Sequence, residues 1–408
     1  MSYLEKLVIY TDLILKVGLN VQLGDRIQLK FNSEQLELAR LIVRRAYQLG
    51  AAHIVLDLQD DEMLLAQYEH LHDPYLDTYP AILADHKLDL YKEGYMQLSL
   101  LSPNPGLFDK LDTERVGKIN KARSLAMQNV MRYGMENHSK WVIAAAASKA
   151  WAKIVFPQLP EAAAVEQLWE QVFMATRVLE ENPVEAWRKH DQLLKKYQAY
   201  LNHKQYQKIH FMSEGTDLLV GLVDGHSWNG GSEQTSAGDV FMSNMPVEEI
   251  WTMPDTNQVN GSVSMTKLLE VGGKRVNNLK LEFEGGEVTK VISDQKEVVN
   301  QLLNTDAGAR YLGEVALVSV DSPIEKTGIH FYNTLFDENA ASHLALGQAY
   351  ADNLIGSNEM SREEREQHGM NHSSIHVDFM IGSEDMSVFG VTKEGQKEKI
   401  MEKGRWII

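Results

Sequence analysis

The sequence contains no cysteine. That excludes disulfides, thiolate metal sites and a cysteine nucleophile. It is also poor in positive charge: 40 Lys and Arg face 57 Asp and Glu, for a formal charge of -17. Nucleic acid and anionic membrane surfaces both ask for clustered Lys and Arg, so neither is expected as a partner. No apolar run approaches the roughly 20 residues that span a bilayer. The first residues interleave apolar side chains with Glu5, Lys6, Asp12 and Lys16 and show no signal-peptide pattern. A cytoplasmic, soluble protein is expected. A phosphate-binding loop is missing too. Residues 225–231 (GHSWNGG) are Gly-rich but lack the strand-to-helix setting of such a loop, which weighs against a nucleotide-dependent enzyme.

What is present is ordinary globular material: 44% apolar and 24% charged residues, leaving no case for disorder. A chain of 408 residues exceeds one usual core, so two domains are expected, 1–203 and 204–408. The first half alternates. Ile27–Phe31, His53–Leu58, Met96–Leu101 and Trp141–Ala147 read as strands. Between the first two, Asn32 and Gln35 have capping-box spacing and open a helix that Gly50 stops. Leu111–Tyr133 and Glu161–His203 read as helical, the latter broken near Asn182-Pro183. Such alternation predicts a mainly parallel sheet covered by helices. The second half changes character. Ile209–Met212 with Leu218–Val223, and Leu279–Phe283 with Val288–Ile292, read as hairpins. This half is expected to be an α+β domain of mainly antiparallel strands, with one long helix from about Asp337 to Leu354.

The residues able to carry chemistry gather in this second half. In Ile375–Met380 the apolar residues alternate, so His376 and Asp378 share the opposite strand face. An imidazole beside a carboxylate suits either a cation or a simple His–Asp hydrogen bond. His368 and His372 repeat the four-residue spacing upstream of His376, but Gly369, Asn371, Ser373 and Ser374 favour a loop and discount them as ligands. Glu338 and His343 fall at the start of the expected helix, and Tyr350, seven residues beyond His343, shares its face there. Glu314 opens an apolar strand, where a carboxylate is costly unless paired or metal-bound. Glu248 and Glu249 precede Ile250; on a strand they point to opposite faces, so one of them joins a given site. Glu248, Glu314, Glu338 and Asp378 together would repel by ~4 kcal/mol per close pair at 4 Å and an effective dielectric near 20. Two divalent ions would balance that charge. Such a set suits metal-assisted hydrolysis, of peptides or of phosphate esters.

At these residues the sequence resembles the thermophilic-type metallo-aminopeptidases, the group of aminopeptidase T, aminopeptidase S and PepS. The resemblance spans essentially the whole chain. It is carried by Met245–Ile250, Gly313–Leu317, Glu338–His343 and His376–Asp378. It implies a two-domain, usually dimeric enzyme that removes N-terminal residues from peptides with a pair of divalent ions: zinc, cobalt, manganese or magnesium. It also implies Glu248, Glu314, Glu338, His343, His376 and Asp378 as metal ligands, with Tyr350 as an active-site tyrosine. Glu248 is preferred over Glu249 as ligand. Glu249 is left as a proton acceptor, and Glu314 as a residue bridging the ions. A non-catalytic relative with a vestigial site is the alternative.

Overall fold

The computed structural model describes residues 1–104, 106–135, 137–271 and 274–408. The chain packs as two compact units. One comprises Met1–Trp187 with Ser232–Met245, and the other Arg188–Gly231 with Pro246–Ile408. The division between these units falls inside the Pro183–Lys204 helix, and 232–245 returns to the first unit.

The first unit holds a five-stranded sheet in the order 244–245, 141–145, 95–101, 26–32, 53–59, and every pairing is parallel. The capping box read from the sequence is present: the Asn32 side chain accepts from Glu34 N–H, while Gln35 Oε1 accepts from Asn32 N–H at 2.8 Å. Several elements went unread in this unit, among them the helices Tyr3–Leu13, Asp61–His70 and Ala81–Lys92. None of these helices has a strong apolar stripe, and the usual periodic signal is therefore weak.

The second unit is built on antiparallel sheets. An eight-stranded sheet includes both expected hairpins, Lys208–Ser213 with Thr216–Leu222 and Leu279–Glu284 with Glu287–Ser293. A five-stranded sheet runs in the order 376–380, 343–347, 312–317, 250–252, 229–230. The fold is therefore mixed: parallel α/β in the first unit, mainly antiparallel in the second. No helix among the described residues is long and apolar enough to cross a membrane.

One element differs in kind from the expectation. The Asp337–Leu354 stretch is not a long helix. A short helix, Thr334–Asp337, passes into one 3-10 turn, Glu338–Ala340, and the chain then extends into the strand His343–Gly347. Leu344 and Leu346 enter the core while His343, Ala345 and Gly347 face the other way. The Ala and Leu content favours helix in isolation, but pairing with strands on both sides and the core contact of Leu344 and Leu346 override it. Nor does Asp337 cap the helix; Asn333 does, its side chain accepting from Leu335 N–H.

Candidate metal centre

Register places the chemical residues on one sheet face. Residues opposite each other across a ladder share a face. Ala345 lies between Glu314 on one neighbour and Asp378 on the other; His343 lies between Ala316 and Met380, and Gly347 lies opposite His376. Leu344, Leu346, Val315, Leu317 and Phe379 cover the opposite face and join the main core. The pairing slips between Leu312 and Glu314. Without that bulge Glu314 would follow Leu312 into the core; with it, the carboxylate turns onto the site face. Ala345 and Gly347 on the central strand leave room for the longer side chains from either side.

Two further segments arrive at this face. Glu249 ends the irregular stretch before Ile250–Thr252, and Glu338 sits in the 3-10 turn. Glu249, Glu314 and His343 each present a ligand atom within 4.8 Å of the others, and all three are buried. His343 Nε2 is 3.2 Å from Glu249 Oε2 and 3.4 Å from Glu314 Oε1. His376 Nε2 is 3.3 Å from Asp378 Oδ1 and 3.6 Å from Glu314 Oε2. Glu338 lies within electrostatic reach of Glu249, Asp378 and Glu314. Tyr350 follows the His343 strand in a loop, with its ring 4.8 Å from that of His376.

The adjacent glutamates divide differently from the strand-based expectation. Glu249, expected to point away, faces the cluster. Glu248, the preferred ligand, sets its carboxylate 3.5 Å from His190 Nε2. The reason is local: 246–249 is irregular backbone, so strict alternation does not apply. His368 and His372 lie outside the cluster, in and after the C-terminal end of the Arg362–Gln367 helix.

Electrostatics show how crowded the face is. Burial opposes charge on His343, yet Glu249 and Glu314 raise its imidazole well above the ordinary value. At His376 burial is likewise outweighed, by Asp378 and then Glu314, and the imidazole is pushed up to about 9. Burial lifts Glu314 to about 7; Asp378 and Glu249 add to the rise while His343 opposes it. Burial, then Glu249 and Asp378, lifts Glu338 well above the carboxylate range. Burial raises the Tyr350 hydroxyl, as do the charges of Glu314 and Asp378.

The donor set fits a cation. His343 Nδ1 lies 3.1 Å from Ala341 O, and His376 Nδ1 lies 2.7 Å from Gln348 O. A carbonyl only accepts, so both Nδ1 atoms carry the proton. In each neutral ring Nε2 then presents a lone pair to carboxylates, which is repulsive unless a proton or a metal ion lies between them. Glu249 Oε2 is buried with no hydrogen-bond donor; its contact with His343 lacks hydrogen-bond alignment. A dry carboxylate oxygen without a donor is costly, and a cation removes the cost.

Two residues of this region escaped sequence reading. Asn339, fully buried, accepts Glu248 N–H on Oδ1 at 2.6 Å. His190 Nε2 contacts Val247 O at 2.8 Å as well as Glu248. Asn339 carried a signal, as a polar residue inside the Glu338–His343 motif; His190 carried none.

Comparison with known proteins agrees with this geometry. The family model described as thermophilic metalloprotease (M29) matches residues 3–406. Aminopeptidase AmpS of Bacillus subtilis (strain 168) is 42% identical over 406 residues, 99% of each chain. Aminopeptidase T of Thermus aquaticus is 40% identical over the full length of both. The solved structure of wild-type AmpT from Thermus thermophilus superposes with a TM-score of 0.94 at 38% identity, covering 100% of both chains. With the fold, the full-length sequence match and the buried Glu–His cluster in agreement, the chain belongs to the M29 family of thermophilic metalloproteases.

Proposed function

We propose that the protein is a metallo-aminopeptidase that hydrolyses the N-terminal residue from peptides, using two divalent cations. The observation that carries this reading is the pair of imidazoles, each anchored at Nδ1 by a backbone carbonyl and turned at Nε2 toward buried carboxylates. Glu249, Glu314, Glu338, His343, His376 and Asp378 would hold the cations, in place of the set that began with Glu248. Four carboxylates balance two divalent charges, which favours a pair over a single ion. When bound, the ions polarise the scissile carbonyl and make water nucleophilic at neutral pH.

The protein's own groups do the rest. Glu314, on the central line of the sheet face, keeps both imidazoles in place. One Glu249 oxygen accepts the proton of the attacking water and passes it to the leaving amine. The Tyr350 hydroxyl, held protonated by its surroundings, donates a hydrogen bond to the oxyanion of the tetrahedral intermediate. A carboxylate of the cluster would accept hydrogen bonds from the substrate's free α-amine, a group absent from an internal peptide bond.

The test is direct. Dialyse the protein against a strong chelator and assay a chromogenic leucine amide with and without added zinc, cobalt, manganese or magnesium. Turnover should vanish and then return with metal. Undiminished turnover in the metal-free protein removes the mechanism. Faster turnover of a phosphate ester than of the amide would point to a different hydrolase.

A further inference from the structure

A cavity of about 250 Å³ adjoins His376 and Asp378 on the edge strand of the site sheet. It is smaller than the roughly 300–1,000 Å³ of sites for drug-sized ligands and suits one amino-acid side chain. Its lining includes the apolar side chains of Leu268, Leu269, Val377 and Met380 together with the rings of His330 and Tyr332.

The Tyr332 wall is built under strain. Tyr332 has φ +54°, a left-handed conformation that bulky side chains rarely adopt. Asp337 holds it there. Its Oδ1 accepts Phe331 N–H at 2.7 Å and its Oδ2 accepts Asn333 N–H at 2.9 Å, the amides on either side of Tyr332. The Arg275 guanidinium lies 4.9 Å from the Tyr332 ring centre, and the His330 ring meets it edge-on at 4.5 Å. Strain of this kind persists only where surrounding contacts enforce it, and it concentrates at ligand clamps.

Most charged groups around the cavity are already engaged, while Asn333 Nδ2 in its lining is buried with no hydrogen-bond partner. Both Asp337 oxygens are taken by amides. Lys267 pairs with Glu325, and Glu270 with Arg275. Burial, then Lys267 and Arg275, push His330 down to about 4, so it is neutral. An acidic side chain would meet Asp378 and Glu270.

We infer that this cavity receives the side chain of the substrate's N-terminal residue, and that it selects neutral apolar side chains of leucine to phenylalanine size over alanine and over acidic residues. The inference rests on the aminopeptidase reading for the word substrate, but the pocket itself is testable without turnover.

The experiment compares wild type, Leu268→Trp, which fills the cavity, and Leu268→Ala, which enlarges it, all metal-loaded. The readouts are kcat/KM for leucine, phenylalanine, alanine and glutamate amides, and calorimetric binding of free L-leucine and L-alanine. Each methylene in an apolar pocket discriminates by roughly 10–200-fold, so wild type should favour leucine over alanine by about tenfold or more in both readouts. Leu268→Trp should collapse that ratio, and Leu268→Ala should move the preference toward phenylalanine. Unchanged ratios in both variants overturn the proposal, and Leu268→Ala alone decides it if Leu268→Trp does not fold. If wild type cleaves no amide yet Leu268→Trp abolishes leucine binding, the pocket stands and the hydrolytic reading falls.

Discussion

Asn339 Oδ1 accepts the backbone N–H of Glu248 at 2.6 Å, across a sequence separation of 91 residues. The same side chain donates through Nδ2 to Leu335 O at 3.1 Å and to Glu338 Oε1 at 3.4 Å. One buried amide thus fixes the approach of the segment bearing Glu249 and the direction of the Glu338 carboxylate. Asn339→Ala should weaken metal affinity by about 10–100-fold, the usual effect of losing a group that orients metal ligands. It should also lower stability by roughly 1–3 kcal/mol, since Glu248 N–H is left unpaired. Calorimetric metal titration and urea unfolding measure the two effects separately. Unchanged metal affinity would reduce Asn339 to a structural tie.

The two adjacent glutamates should separate cleanly in activity. On the proposed roles of Glu249 as ligand and proton acceptor, Glu249→Gln should lower kcat by at least about 100-fold. Glu248 sets its carboxylate 3.5 Å from His190 Nε2, whereas Glu249 belongs to the buried group with Glu314 and His343. Glu248→Gln should therefore act more mildly, through the position of its segment. Steady-state kinetics with metal content measured on each variant decides the matter. The reverse order of severity would restore Glu248 as the ligand.

How much of this site the sequence revealed depends on how local each signal is. His376 and Asp378 were legible because Ile375, Val377 and Phe379 alternate around them, and a strand's faces follow from that pattern alone. Glu314 was legible as a costly charge in an apolar strand. His343 was legible as a candidate ligand but on a helix, because Ala and Leu favour helix while the pairing that makes 343–347 a strand lies in distant segments. The direction of Glu249 depends on irregular backbone that no periodicity describes. The His190 contacts are long-range with no local trace, and Asn339, though inside the Glu338–His343 motif, reaches Glu248 only across 91 residues of sequence. The Leu312–Glu314 bulge, which decides whether a carboxylate faces the site or the core, is a pairing defect and exists only once the sheet has formed.

Stability should depend on pH in opposite ways with and without metal. In the chelated protein His376 is raised from 6.5 to about 9 and Glu314 from 4.5 to about 7. The folded state holds both protons more tightly than the unfolded chain does. The stabilisation from His376 is complete below 6.5 and is lost as pH rises through 9; that from Glu314 is lost between 4.5 and 7. Tm of the chelated protein should therefore fall as pH rises through that range, while the metal-loaded protein, its protons displaced, should not follow. Metal affinity should rise about tenfold per pH unit for each proton displaced. Scanning calorimetry across pH tests the first point, and titration in buffers of different ionisation heat tests the second.

Tyr350 offers a kinetic test. Its ring packs 4.8 Å from that of His376, and its hydroxyl is raised by burial and by the carboxylates of the cluster. If it donates to the oxyanion, the bond strengthens only in the transition state. Tyr350→Phe should then lower kcat by about 10²–10³ with little change in KM and full retention of metal. An equal loss through KM alone would make it a ground-state contact.

Gly347 tests whether the sheet itself shapes the centre. Its φ is +103°, and a Cβ there would lie 2.2 Å from Ile375 O, on the backbone entering the His376 strand. Gly347→Ala therefore meets both a conformational cost of about 1–3 kcal/mol and a backbone clash that no side-chain rotation relieves. The strand must shift, and His376, directly opposite, shifts with it. Gly356 provides the control. Its φ is also positive, at +81°, but an added Cβ would meet nothing nearer than Met360 Cε at 3.8 Å. Gly356→Ala should cost only the conformational part and leave metal binding intact, while Gly347→Ala should cost more than about 3 kcal/mol and lose metal. Equal stability losses, with metal retained in both, would mean that the close packing of these two strands does not set the position of His376.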